Sequence, residues 1–377
     1  MERDELAAWL RLALTPGVGD TAARKLLAAF GLPEAIFAQS RAALSGVVTA
    51  AQAAALQEEP PQLAPQLETT LAWIANSEQG SRQRRVLTLA DTAYPEALLH
   101  TADPPLMLYA QGVDCAEWPP AIAIVGSRNP TPQGKLNAQQ FARCFADAGF
   151  TVVSGLALGV DGAAHEGALE STSAPHLATI AVVGTGLDRV YPRQHHGLAH
   201  RIAERGLLIS EYHLGTPPLA ENFPRRNRLI AALSRGTLVV EAALRSGSLI
   251  TARQAVEQGK DVFAIPGSIH SAQSRGCHAL LKQGAKLVET AEDVLEEVGR
   301  PATAPPKAEP ASEAPARVPL EDDDVVRALG FDPVSLDTLV SRTGIAPARL
   351  QARMLELELA GQLARLPGGL FQRIAAG

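Results

Sequence analysis

Glycine, serine and arginine recur in this sequence at the points where short apolar runs end. Ala121 to Val125 leads into Gly126-Ser127-Arg128, Thr151 to Val153 into Ser154-Gly155-Leu156-Ala157, and Thr179 to Val183 into Gly184-Thr185-Gly186-Leu187-Asp188. Ser210-Glu211-Tyr212, Glu241 and Pro266-Gly267 follow the later runs. Glycine turns let backbone approach a ligand closely, so amide groups can point at phosphates while Arg128 supplies charge. One such loop need only close a tight turn; repetition across several loops points to an anion. Two further segments point the same way. Asn222-Phe223-Pro224-Arg225-Arg226-Asn227-Arg228 puts Pro224 in the first turn of a helix with three arginines crowded behind it, unfavourable against the positive end of the helix dipole unless an anion is present. Arg245-Ser246-Gly247-Ser248 opens a helix and offers either hydroxyls and amides to a phosphate or a plain N-cap. The candidate contacts are Gly126, Ser127, Arg128, Ser154, Gly155, Gly184, Gly186, Arg225, Arg226, Asn227, Arg228, Ser246, Gly247 and Ser248.

Familiar nucleotide signatures fail on the same residues. Gly184-Thr185-Gly186 continues as Leu187, Asp188 and Arg189 where a dinucleotide fingerprint needs a third glycine, and Gly126 to Lys135 lacks the Gly-Lys-Ser/Thr ending of a P-loop. NAD, FAD and ATPase chemistry are therefore not expected, and no cofactor is. Cys115, Cys144 and Cys277 are odd in number and far apart, with no CxxC spacing, so neither a disulfide framework nor a zinc or redox site is expected and the thiols read as buried or idle.

The elements that must hold these loops are legible in the texture of the chain. From Ala121 onward, apolar runs of four to six residues alternate with helical patterns such as Gly134 to Ala148 and Leu249 to Gln258. Continuous rather than alternating hydrophobicity means strands covered on both faces, hence a doubly wound α/β domain with a mostly parallel sheet, whose ligands bind beyond the carboxyl ends of the strands. Ahead of it, residues 5 to 56 are Leu/Ala-rich helices broken at Thr15 to Gly19 and Gly31 to Pro33. There Pro16-Gly17-Val18-Gly19 before a helix from Thr21 to Phe30 resembles a helix-hairpin-helix, as a packing turn or a phosphate contact. Gly299 to Pro319 holds six prolines and no apolar period, a linker able to span on the order of 60 Å if extended. Beyond it Asp322 to Leu329, Ser335 to Thr343 and Pro347 to Leu359 read as helices and Gly361 to Arg373 as a hairpin, together a winged helix.

Charge follows the same division. The net charge is −6, yet residues 121 to 286 hold 17 Lys and Arg against 11 Asp and Glu. The middle segment is thus suited to meet an anion, although a solvated basic face has the same composition. With 46% hydrophobic and 20% charged residues and no apolar run approaching the ~18 residues of a membrane span, neither disorder nor membrane insertion describes the chain. MERDELAAWL has no basic segment followed by an apolar one, so no secretory signal is expected and the cytoplasm is the default location.

The runs GSR, SGLALGVDGAAHEGAL, GTGLDRVYP, SEYHLGTPPLAENFPRRNRLIAALS, VVEAALRSGSLITARQA and VFAIPGSIHSAQSRGCHALLKQGAKLV, in this order, resemble the DNA processing protein A family (DprA, also called Smf). The resemblance covers roughly 90 to 290 and extends into the tail, where LGFDPVSLDTLVSRTGIAPARLQARMLELELAGQLARLPGGLFQR is similar to the family's winged helix. It implies a Rossmann-like protein that binds single-stranded DNA, forms a homodimer and helps load RecA recombinase onto incoming strands during natural transformation, without catalysis. It also draws in Arg189 and His195, the latter four residues after Tyr191 where many members carry Asn. The expected architecture is α/β: a SAM-like or helix-hairpin-helix-like helical domain (1–80), a Rossmann-like domain (81–298), the linker (299–319) and a winged helix (320–377).

Two other classes share parts of this pattern. Nucleoside-monophosphate phosphoribohydrolases have related folds, and Glu211 and Glu241 sit where a general base could, or serve as arginine partners and caps. Their Pro-Gly-Gly-x-Gly-Thr-x-x-Glu loop is absent. A winged-helix transcription regulator fits the architecture, but from Leu320 onward eight acidic residues outnumber six basic ones, whereas a winged helix used on duplex DNA is normally basic.

Overall fold

Apolar runs bounded by glycine turns become buried strands. The computed structural model of the chain describes residues 1–77, 83–114, 117–172, 177–301 and 323–374. Among them nine strands form one sheet: β1 (Gln83–Thr88), β2 (Met107–Gly112), β3 (Ala121–Val125), β4 (Thr151–Ser154), β5 (Thr179–Val182), β6 (Leu207–Ser210), β7 (Gly236–Val239), β8 (Asp261–Ala264) and β9 (Lys286–Leu287). Their order is β1-β2-β6-β5-β4-β3-β7-β8-β9. From β6 to β9 every pairing is parallel, while β2 runs antiparallel to β1 and β6. The chain leaves β3 in one direction through β4, β5 and β6, then returns to lay β7 on β3's other side. That reversal is the topological switch point where open α/β sheets hold ligands.

Strand β3 shows how both faces are covered. Ile122 and Ile124 pack with Phe141, Phe145, Val160 and Ala163 from the helices Pro132–Asp147 and Val160–Glu170. Ala121, Ala123 and Val125 join the opposite cluster, with Leu229, Ile230 and Ala252 from Asn222–Leu233 and Ser248–Glu257. A third cluster is continuous from the N-terminal helices into the sheet. Leu6, Trp9, Leu26 and Trp73 belong to it together with Tyr109 of β2, Leu208 of β6 and Ile202 of the helix His196–Arg205. The N-terminal helices therefore share apolar packing with the sheet rather than closing a core of their own.

The C-terminal module has its own core of Leu339, Leu350, Met354, Leu357 and Phe371. It carries the helices Asp324–Leu329, Leu336–Thr343 and Pro347–Leu359 and the strands β10 (Val334–Ser335), β11 (Leu363–Leu366) and β12 (Leu370–Arg373). The sequence suggested a two-stranded wing; β10 adds a third strand, pairing Val334 with Phe371 and Ser335 with Leu370. The signal is short because Ser335 also caps the following helix, its Oγ accepting the Thr338 N–H at 3.2 Å.

The proline-rich stretch lies, from 302 to 322, outside the described residues, as does Cys115. Cys277 is buried and Cys144 exposed. Among the described residues no helix is long and apolar enough to cross a membrane.

Candidate functional site

At the switch point the loops after β3 and β7 and the start of the helix Asn222–Leu233 enclose a crevice of about 490 Å³. Half of the residues singled out from the sequence line it: Gly126, Ser127, Arg128, Arg226, Asn227, Ser246, Gly247 and Ser248. Gly126 is required by close approach, since a Cβ there would stand 2.7 Å from Val160 Cγ2 and 2.9 Å from the Glu241 carbonyl. Ser127 N–H donates to that carbonyl at 2.7 Å, and Ser127 Oγ accepts the Asn129 N–H at 3.1 Å. The turn is thereby fixed, and Arg128 is delivered to its exposed edge with its guanidinium 5.8 Å from the Phe223 ring centre. Opposite, Ser246 and Ser248 hydroxyls lie 2.7 Å apart at the N-terminus of Ser248–Glu257. Asn227 Nδ2 donates to the Gly247 carbonyl at 3.3 Å and ties that turn to the arginine helix.

The three clustered arginines divide. Arg225 is exposed and opens onto a neighbouring cavity shared with Gly19, Thr21 and Lys25. The N-terminal hairpin and the arginine helix thus meet at one surface, while Val18 of the hairpin is buried in the core. Arg226 and Arg228 turn inward, and both depart from the sequence expectation of open phosphate contacts. Arg226 is 4% exposed. Its Nη1 donates to the carbonyls of Gly155 at 2.6 Å and of Val182, and its Nη2 lies 4.0 Å from Asp161 Oδ2. It staples the carboxyl ends of β4 and β5 together beneath the crevice. Burial pushes the Asp161 carboxyl up against the pull of Arg226, and draws the Arg226 guanidinium down to about 10. Arg228 is paired with Glu211, whose carboxyl burial pushes up to about 7 despite that partner.

The remaining candidates build the frame or lie elsewhere. Ser154 Oγ donates to the Ile124 carbonyl at 2.6 Å, locking β4 to β3. Gly155 leaves room for the Arg226 guanidinium, which a Cβ would strike. The Gly184 carbonyl accepts from Asn222 Nδ2 at 3.1 Å, and Gly186 N–H donates to Thr216 at 3.1 Å. Arg189 is exposed but paired with Asp188 at 2.6 Å. His195 holds the Leu156 carbonyl through Nδ1 at 2.9 Å.

Sequence reasoning missed Arg245, Phe223, Asn129 and Gln273, which also line the crevice. Arg245 and Phe223 stand inside segments already quoted and could have been found as the residues flanking the glycine and proline turns. Gln273 arrives from the loop after β8, and nothing in its local sequence marks it. Glu241 is engaged: its carboxylate accepts Thr131 N–H at 2.9 Å and Thr131 Oγ1–H at 2.6 Å, fixing the start of Pro132–Asp147.

A doubly wound α/β protein with its cleft at the switch point and a winged helix beyond it is the class these features define. Residues 85–299 match the model of the DNA recombination-mediator protein A family, and residues 304–369 that of the DprA winged helix domain. The chain belongs to the DNA recombination-mediator protein A family. It is 42% identical to Protein Smf of Escherichia coli over 308 residues, 80% of each chain. With the DNA processing protein DprA of Streptococcus pneumoniae it shares 45% over 211 residues, 56% of this chain and 73% of that one. The X-ray structure of DprA from S. pneumoniae aligns at a TM-score of 0.60 and 34% identity, covering 79% of this chain and 98% of the other. A structure of DNA processing protein A from Helicobacter pylori, solved for its single-stranded DNA binding mode, aligns at 0.51 and 34%, covering 57% and 95%.

Proposed function

We propose that this protein binds single-stranded DNA across the switch-point crevice and serves as a recombination mediator, loading RecA recombinase onto incoming strands during natural transformation. The observation that carries the reading is the pair Arg128 and Arg245 at the crevice, both exposed and, among the described residues, without a carboxylate in ion-pair range. Unpaired guanidinium groups beside turn amides suit a row of phosphates. Family membership and the single-strand binding of the H. pylori relative support the ligand class. Action as a cytoplasmic homodimer without catalysis belongs to the same proposal; exposed Leu287 on the edge strand β9 suits a second copy.

Titrating fluorescent oligo-dT and a duplex of equal length across a salt series tests this directly. Single-strand affinity should exceed duplex affinity and fall with salt at a log–log slope of about −0.7 per phosphate neutralised. Replacing Arg225 and Arg245 together with Ala should flatten that slope by about 1.4, two contacts' worth, leaving the internally paired Arg226 and Arg228 untouched. An unchanged slope with unchanged affinity would remove both arginines from the interface. RecA filament formation on strands coated with a single-strand binding protein, with and without this protein, tests the loading step.

The winged helix is assigned to a protein or regulatory contact. Several of its arginines are neutralised within the module: Arg353 pairs with Asp323 at 2.7 Å and Glu356 at 2.6 Å, and Arg365 with Glu358 at 3.6 Å. Because that module has its own core, a chain ending at Val298 should fold and bind single strands within about threefold of full length, less than ~1 kcal/mol. Collapse of binding with unfolding still cooperative would make the winged helix a DNA contact.

A further inference from the structure

We propose a second ligand site, for a nucleoside phosphate, in the cavity between the helix Leu63–Ala75, β2 and the helix His196–Arg205. The cavity measures about 530 Å³, within the size range of small-molecule sites. Its walls are aliphatic: Leu156, Val183, Leu187 and Leu208 line it and each is buried. Such walls accept the faces of a planar heterocycle.

Two hydrogen-bonding groups in the lining lack protein partners. Trp73 is 7% exposed, and its indole N–H is buried with no acceptor among the described residues. The half-buried Gln111 side chain on β2 likewise makes no hydrogen bond to the described residues. The indole N–H is shut off from the cavity space, whereas the Gln111 amide both donates and accepts, so an occupant that exchanges hydrogen bonds with it satisfies both of its polar atoms. A base edge carries this mixture of donors and acceptors; a purely aliphatic occupant does not.

The mouth is cationic. The Arg84 guanidinium donates to the Trp73 carbonyl at 3.3 Å, lies 5.6 Å from its ring centre, and has no carboxylate in ion-pair range among the described residues. Arg189, paired with Asp188, and the His196 and His200 rings, with centres 4.4 Å apart, are exposed members of the lining. The one lining carboxylate, Asp188, is held by Arg189 and by the Gly215 N–H at 2.8 Å. An anionic group attached to the heterocycle therefore meets Arg84 at the entrance without facing a free carboxylate.

The nucleoside phosphate can be a free nucleotide or one residue of a bound strand, and the second source rests on the single-strand binding proposed above. Calorimetric titration of the full-length protein with the purine and pyrimidine nucleoside monophosphates tests the first source, and oligo-dT affinity tests the second. Two variants report on the cavity: Gln111→Ala, which removes a ligand contact, and Ala203→Phe, which fills the space, each checked for cooperative unfolding. For a free nucleotide, binding by the parent should weaken about tenfold in Gln111→Ala and vanish in Ala203→Phe with oligonucleotide affinity unchanged. For a strand residue, mononucleotides bind weakly or not at all and oligonucleotide affinity falls in both variants, beyond the effect of Arg128→Ala at the crevice. If neither mononucleotide nor oligonucleotide binding responds to either variant, the site is overturned, whatever Arg128→Ala shows.

Discussion

Arg226→Ala is expected to lower the free energy of unfolding by about 3–5 kcal/mol, the cost of removing one partner of a buried ion pair and stranding the other. The guanidinium leaves two strand-end carbonyls and Asp161 behind, and Asp161 is itself 7% exposed. Without its counter-charge the folded Asp161 carboxyl rises further above its unfolded value. A group whose pKa is raised by folding contributes stability at low pH and loses it as pH climbs through the folded pKa, so the deficit should be smaller in acid than at neutrality. Adding Asp161→Asn should recover part of the loss, as coupled neighbours do in a double-mutant cycle. Urea unfolding at two pH values measures all three. A variant as stable as the parent that binds oligo-dT poorly would instead make Arg226 a phosphate contact.

Arg128→Ala should leave stability nearly intact and weaken single-strand binding by about 1–3 kcal/mol, roughly 5- to 150-fold, the range for a charge-assisted hydrogen bond. The side chain is exposed, approaches the Phe223 ring, and acts on Asp161 and Arg226 through its charge without a carboxylate in ion-pair range among the described residues. Removing it therefore deletes charge at the crevice edge without opening a cavity. Fluorescence anisotropy at fixed salt gives the affinity and thermal unfolding the control. Equal affinity would place the strand elsewhere on the molecule.

The pair Arg226 and Arg128 marks how far the sequence could be read. The strand ends carrying Gly126 to Arg128, and the helix opened by Ser246 to Ser248, were legible because glycine turns after apolar runs leave few alternatives. Which of the three clustered arginines faces out was not, since that depends on helix phase relative to the sheet and on a cavity that Gly155 opens 71 positions away in sequence. Glu211, after β6, could be read as an arginine partner, but which arginine it takes could not, and the structure gives it Arg228. The third strand of the wing escaped because two residues carry no period, and the sharing of apolar packing between the N-terminal helices and the sheet because composition does not reveal which helix faces meet.

One short turn lies between the two cavities. Leu156, with φ at +60°, faces the cavity at Trp73, and Ala157, the next residue, faces the switch-point crevice. The turn is clamped at both ends, by Arg226 on the Gly155 carbonyl and by His195 on the Leu156 carbonyl. An occupant on either side that shifts this peptide shifts the wall of the other. Linkage then requires reciprocity: the factor by which one ligand changes the affinity of the second must equal the factor by which the second changes the first.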